Sequence, residues 1–232
     1  MNRFMLKLTK GFRDLRYRLF YALLLDRRFN LVTLCAPGSI CPWTIHPAGL
    51  IPKSIVYCGG IGSDISFEHE LVKHFGCDIV LYDPSPTGAK TMALPENQIP
   101  QFHYFPVALT ARKGKLKMTP PQPGEDSWFP RNDDSATIEV PCTDLQSLMQ
   151  QNGHDHIDLL KMDIEGSEYE VIDDLLKRRL PIGQICVEFH HALLPGYRRS
   201  QTIRAILKLR AHGYKLVSQD GENHTFIFGS SA

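Results

Sequence analysis

The sequence predicts an α/β fold: a mostly parallel sheet with helices on both faces and an antiparallel C-terminal hairpin at one edge. Two observations predict it. From residue 54 onward, short apolar runs alternate with segments of helical spacing, which implies strand–helix–strand units around a sheet covered on both faces. The last two strand-like runs, 214–218 and 224–228, are joined by the turn-rich stretch 220–223, which leaves no room for a crossover helix. A composition of 43% hydrophobic and 22% charged residues over 232 positions suits one globular domain with a short appendage.

The elements follow in order. Residues 54–58 (SIVYC) read as a buried strand, and Ile65, Phe67, Leu71, Val72 and Phe75 mark the helix after it. Strands follow at 78–82 and 102–109, with a helix over 86–95 between them. Two short strand-like runs, 115–118 and 137–141, flank the stretch 118–134, whose prolines and acids argue against a regular element. A loop of that length suits a lid. Trp128 and Phe129 either close it over a site or pin it to the domain surface. Helices are predicted at 143–151, 167–178 and 198–212, and strands at 156–162 and 183–189.

Residues 1–50 read as a basic amphipathic extension and 51–232 as the main domain. Residues 1–28 carry eight Lys or Arg against Asp14 and Asp26, with apolar residues at helical spacing. One reading is a helix resting peripherally on an anionic membrane; the other is a helix capping the domain with its charged face in water. The same face could pair two copies into a homodimer. A signal peptide does not fit, because the apolar stretch 19–25 is short and leads into Asp-Arg-Arg. No run reaches the ~20 apolar residues of a membrane span. Net charge +1 offers no general basic field for nucleic acid. Six scattered cysteines without a Cys-x-x-Cys pair fit buried free thiols in a reducing compartment, the cytoplasm, better than a zinc site.

Gly59, Gly60 and Gly62 follow the first strand and precede a helix. Glycines there allow positive φ and a close ligand approach. The run from Gly60 lacks the third glycine of a dinucleotide fingerprint, since Ile65 takes its place, and there is no Walker lysine. Asp64 would repel a pyrophosphate at the helix start. A phosphate-free nucleoside ligand such as S-adenosylmethionine fits better. Asp83 ends the second strand, where an acid can accept from ribose hydroxyls or cap the next helix. Pro84, Ser85 and Ala108, at neighbouring strand ends, and Asp163 complete the candidate cofactor set.

Asp163 and Glu165 lie where the strand 156–162 empties into a loop. Ser167 and Glu170 read as a capping box for the helix beyond, and Glu168 as an acid favoured at its N-terminus. Neither reason covers Asp163 or Glu165. Glu188, His190 and His191 end the next strand, with Glu188 and His190 on one face.

The stretch IDLLKMDIEGSEYEVI (157–172) resembles the signature of the FkbM-type methyltransferases, which use S-adenosylmethionine. The likeness extends through 56–68, 81–86, 140–148 and 186–191, and covers roughly 54–228. It implies the Rossmann-like sheet of class I methyltransferases and methyl transfer to a hydroxyl of a sugar, glycan or small natural product. Tyr57 departs from the pattern, since many members carry an acid there. On this reading Asp163, Glu165, Glu188 and His190 are the catalytic candidates. His190 is the expected general base, with Asp163 or Glu188 orienting it or the acceptor. Asp163, Glu165, Glu188 and His190 are also a candidate set for a divalent metal ion. The rival readings are an NAD- or nucleotide-sugar-linked enzyme on a similar sheet and a non-catalytic cofactor-binding adaptor.

Overall fold

The computed structural model describes residues 17–36, 39, 42–121, 127–130, 137–191 and 196–229. Its central sheet has seven strands: β3 (Ile55–Gly59), β4 (Asp78–Tyr82), β5 (Phe102–Phe105), β10 (Ile157–Met162), β11 (Ile182–Glu188), β12 (Tyr214–Asp220) and β13 (Asn223–Phe228). They lie in the order β12-β13-β11-β10-β3-β4-β5. Only β13 runs against its neighbours. The strand order reverses beside β3, so the carboxyl ends of β3 and β10 border one crevice, the ordinary ligand site of a Rossmann-like sheet.

Helices cover both faces, as the alternating pattern requires. The segment 17–24 (α1), α4 (Leu145–Asn152), α5 (Glu168–Arg178) and α6 (Arg199–Ala211) pack on one face around Leu160, Ile172, Ile185 and Ile206. On the other lie α2 (Ser66–Phe75), α3 (Pro86–Met92) and a small hairpin of β1 (Val32–Leu34) and β2 (Trp43–Ile45), around Leu71, Ile79 and Leu159. Trp43 and Ile45 are fully buried there.

The described residues between 17 and 50 are thus packed onto the sheet. Tyr21 is buried, its hydroxyl 2.7 Å from His224 Nε2, and the Asp26 amide donates to the Leu216 carbonyl on the edge strand β12. Arg3, Lys7, Lys10, Arg13 and Arg16 lie outside the described residues. Among the described residues no helix is long and apolar enough to cross a membrane.

The structure departs from the sequence reading in three places. The run 102–109 is two strands, because Pro106 has no N–H to donate: β5 stays in the main sheet and β6 (Ala108–Leu109) leaves it. β6 joins β7 (Gly114–Thr119), β8 (Phe129–Pro130) and β9 (Ile138–Thr143) in a second, four-stranded sheet beside the crevice. The stretch 118–134 therefore does contain a regular element, since β8 pairs antiparallel with Met118 and Thr119. The helix predicted over 86–95 ends at Met92, followed by a 3-10 turn at Pro95–Asn97. The cysteines behave as expected where described: Cys35, Cys58, Cys77, Cys142 and Cys186 are free thiols, all but Cys35 buried, and Cys41 lies outside the described residues.

If α1 is part of the folded domain, removing its one buried ring must cost stability. Tyr21→Ala is expected to lower the free energy of unfolding by about 3 kcal/mol, read by urea denaturation. A change within about 0.5 kcal/mol would mean that 17–24 is an independent tail.

Candidate active site

The crevice is built where two strand ends touch. Gly60 has φ +81, and a Cβ there would lie 1.7 Å from the Asp163 carbonyl oxygen, so only glycine lets the two loops cross. The Gly60 amide donates to Tyr82 and the Asp163 amide donates to Gly59, which ties the ends of β3, β4 and β10 together. Lys161, buried in β10, donates to the Gly60 carbonyl at 2.6 Å and sits 3.5 Å from Glu68 of α2.

Asp83 organises the glycine loop. One carboxylate oxygen accepts from the Ile61 and Gly62 amides at 2.8 and 3.0 Å, and the other from the Ser85 amide at 2.7 Å. A carboxylate offers about four lone-pair positions, so one remains, fewer than a pair of ribose hydroxyls would fill. Asp83 does not cap α3 either; Ser85 does, accepting from Gly88. Gly88 makes the arrangement feasible, since a Cβ there would fall 2.5 Å from the Asp83 carboxyl carbon.

Of the sequence-derived cofactor set, Gly60, Gly62, Asp64, Asp83, Pro84, Ser85, Ala108 and Asp163 all line this hollow, and Gly59 lies just beneath it against Ile164. Asp64 accepts from the Ser66 amide and the Ser39 hydroxyl. Trp128 and Ser127 form part of the opposite wall, and the Trp128 indole donates to Thr87 at 3.2 Å. Tyr57 does not line the hollow: it is fully buried behind Tyr82, its hydroxyl held by Asn152 and His154.

The catalytic candidates meet at the end of β10 and β11. His190, 2% exposed, stands among carboxylates. Its Nδ1 lies 2.9 Å from Glu168, and its Nε2 lies 3.2 Å from Glu165 and 3.5 Å from Asp163. Asp163 is also hydrogen-bonded to Glu188. Glu165 occupies a left-handed turn, φ 55, a strained position for a side-chain-bearing residue that turns its carboxylate toward His190 and Ser127.

Glu168 opens α5, an acid in its first turn as the sequence indicates, and is also a fully buried anchor. One oxygen accepts from the Ile164 and Gly166 amides and from His190. The capping box expected at Ser167 does not form, and the Ser167 side chain makes no cap bond. Burial by itself would lower the His190 pKa. The Glu168 hydrogen bond and the charges of Glu168, Glu165 and Asp163 outweigh it and raise it to about 10. His190 therefore keeps its proton through neutral pH, which corrects the expectation of a neutral histidine base. Burial pushes Glu165 and Glu188 up to about 7, and Asp163 upward as well.

Of the four residues considered for a cation, Asp163, Glu165 and His190 bring ligand atoms within 4.8 Å of one another. A ligating imidazole must first lose the proton that this environment favours.

The methyltransferase FkbM domain matches residues 50–216 of the chain. The probable methyltransferase-like protein 24 of Homo sapiens is 24% identical over 155 residues, 66% of this chain and 37% of that protein, so the match spans little more than a third of that relative. Among solved structures, the fibrillarin pre-rRNA processing protein of Methanococcus jannaschii aligns at 11% identity with a TM-score of 0.45, covering 78% of this chain and 69% of that one. A methyltransferase from Pyrococcus furiosus aligns at 11% identity and a TM-score of 0.38, covering 95% and 97%.

The imidazolium makes a testable pH signature. Because the folded-state pKa of His190 is raised from 6.5 to about 10, its stabilisation is complete below pH 6.5 and is lost as pH rises through 10. Glu168→Gln is expected to move the His190 midpoint, followed by NMR, down by about two pH units. It should also flatten the fall of thermal stability on the alkaline side. An unmoved midpoint would show that Glu168 does not hold the proton.

Proposed function

Because the chain belongs to the methyltransferase FkbM domain family, we propose that it transfers a methyl group from S-adenosylmethionine to a hydroxyl of a sugar, glycan or small natural product. The hollow supports this donor. At Gly62, φ +57, nothing lies within 4 Å of where a Cβ would stand, which leaves open space directly over backbone. The lining sets Asp64, Asp83, Asp163 and Glu165 against Lys161 as its only cation among the described residues, beside apolar Ile61 and Leu109. That surface suits an uncharged nucleoside and a cationic group and disfavours a pyrophosphate, which argues against an NAD- or nucleotide-sugar-linked activity. When bound, the donor supplies an electrophilic methyl on a sulfonium.

The remaining work falls to the chain. Gly60, Gly62 and the Asp83-held loop present backbone to the donor, and Asp163 faces its charged end. An alcohol acceptor must surrender a proton during or after transfer. Glu165 is the base in this reading, because it lines the hollow and titrates near 7, poised between accepting and releasing a proton. Glu188, also near 7 and paired with Asp163, is next in line. The His190 cation orients Asp163 and Glu165 and limits their mutual repulsion.

The single observation that carries this is the carboxylate pair Asp163 and Glu165 at the floor of the glycine-loop hollow. Calorimetry should show S-adenosylhomocysteine binding and no NAD binding; the reverse result ends the proposal. In methyl-transfer assays against hydroxylated acceptors, kcat should rise with pH through about 7. Glu165→Gln should lower it ~100-fold or more and abolish that rise, with donor affinity little changed. Full activity in excess EDTA is the expected outcome, and restoration by Mg²⁺ would favour the cation reading.

A further inference from the structure

We propose that the outer faces of α1 and α6 together form a docking surface for an anionic lipid bilayer. The two helices lie side by side on one face of the sheet. The Arg199 guanidinium stands over the Tyr17 ring at 4.9 Å, and Arg210 donates to the Leu24 carbonyl at 3.0 Å, so the starts and the ends of the helices meet in register. Their inner faces are spent on the core through Tyr21, Ala205, Ile206 and Leu209. Their outer faces are therefore directed to the same side, away from the sheet.

Those outer faces are unusual in two respects. Large apolar side chains are left in solvent: Leu23 is 82%, Leu19 53% and Leu207 47% exposed. Cations stand among them without balancing acids. Neither 17–24 nor α6 contains an Asp or Glu. Arg18 and Arg204 are exposed and form no ion pair among the described residues, and Arg27 continues the strip just past α1. Of the acids beside these helices, Asp26 is engaged by Arg28 and Asp173 by Lys208, each at 2.6 Å, and Glu222, near Tyr17 and Tyr21, lies 2.9 Å from His191. In the sequence, residues 1–16 add five further Lys or Arg against Asp14, while the chain as a whole carries a net charge of only +1.

Leucines flanked by arginines on a helix lying flat are what an acidic bilayer surface selects: the apolar groups enter the acyl boundary while the guanidinium groups pair with lipid phosphates. A polyanion such as RNA would use the cations and gain nothing from Leu19, Leu23 and Leu207, which favours the bilayer. The surface lies outside the hollow, so it is independent of the donor chemistry.

The test is flotation of the full chain with vesicles of phosphatidylcholine alone or with about a third phosphatidylglycerol. Binding is expected only to the anionic vesicles, and should be reversed by about 0.5 M salt. The double variants Leu19→Ser/Leu23→Ser and Arg18→Gln/Arg204→Gln should each partition about tenfold more weakly. Both should retain the parent's melting temperature and S-adenosylhomocysteine affinity, since these side chains are exposed. Equal binding to neutral vesicles, no binding to either, partition unaffected by both variants, or preference for RNA over anionic vesicles would each overturn the proposal.

Discussion

A buried imidazolium among carboxylates holds the working end of this molecule together. Asp163, Glu165, Glu168 and Glu188 converge where β10 and β11 end, and that much negative charge in so little water would drive the loops apart or force protons onto the acids. His190 lies between them with one ring nitrogen toward Glu168 and the other toward Asp163 and Glu165. It keeps its proton because of them, and they can remain close because of it. Glu168 is in turn fixed by two backbone amides of the preceding turn, so the histidine is anchored to the fold and not only to mobile side chains.

The second constraint is the approach of backbone to backbone. Gly60 under Asp163 and Gly88 against Asp83 are places where one extra carbon would collide with its neighbour. They set how closely three strand ends gather, and hence the depth of the hollow. Lys161 adds a polar bolt from β10 to the glycine loop and to Glu68. A buried ion pair of this kind contributes little net stability and costs much if one partner is lost. Its value here lies in fixing the position of the loop.

The N-terminal segment illustrates how one pattern can serve two purposes. Tyr21 and its neighbours give α1 an apolar inner stripe that joins the core, while the segment after it covers the exposed edge of β12. The outside of the same helix carries Arg18, Leu19 and Leu23 in solvent. An amphipathic helix with two apolar sides has one side more than a globular domain requires.

The architecture was legible from the sequence because its causes are local. Apolar runs of strand length, helical spacing between them and a short link near the C-terminus suffice for a mostly parallel sheet with one reversed strand. The glycines and acids at strand ends gather at one crevice for the same reason: topology brings those ends together whatever the details. The roles of individual residues were not legible. The sequence pattern gives Glu168 its place at a helix end but not its bond to His190, and it names no partner for Lys161, although a lysine inside a buried strand must be paired. His190 looked like a base because a histidine in isolation titrates near neutrality. Periodicity along the chain determined where each side chain could point. Only the tertiary structure decided which charges face one another across 22 residues of sequence, and proximity in a low-dielectric interior is what determines where a proton resides.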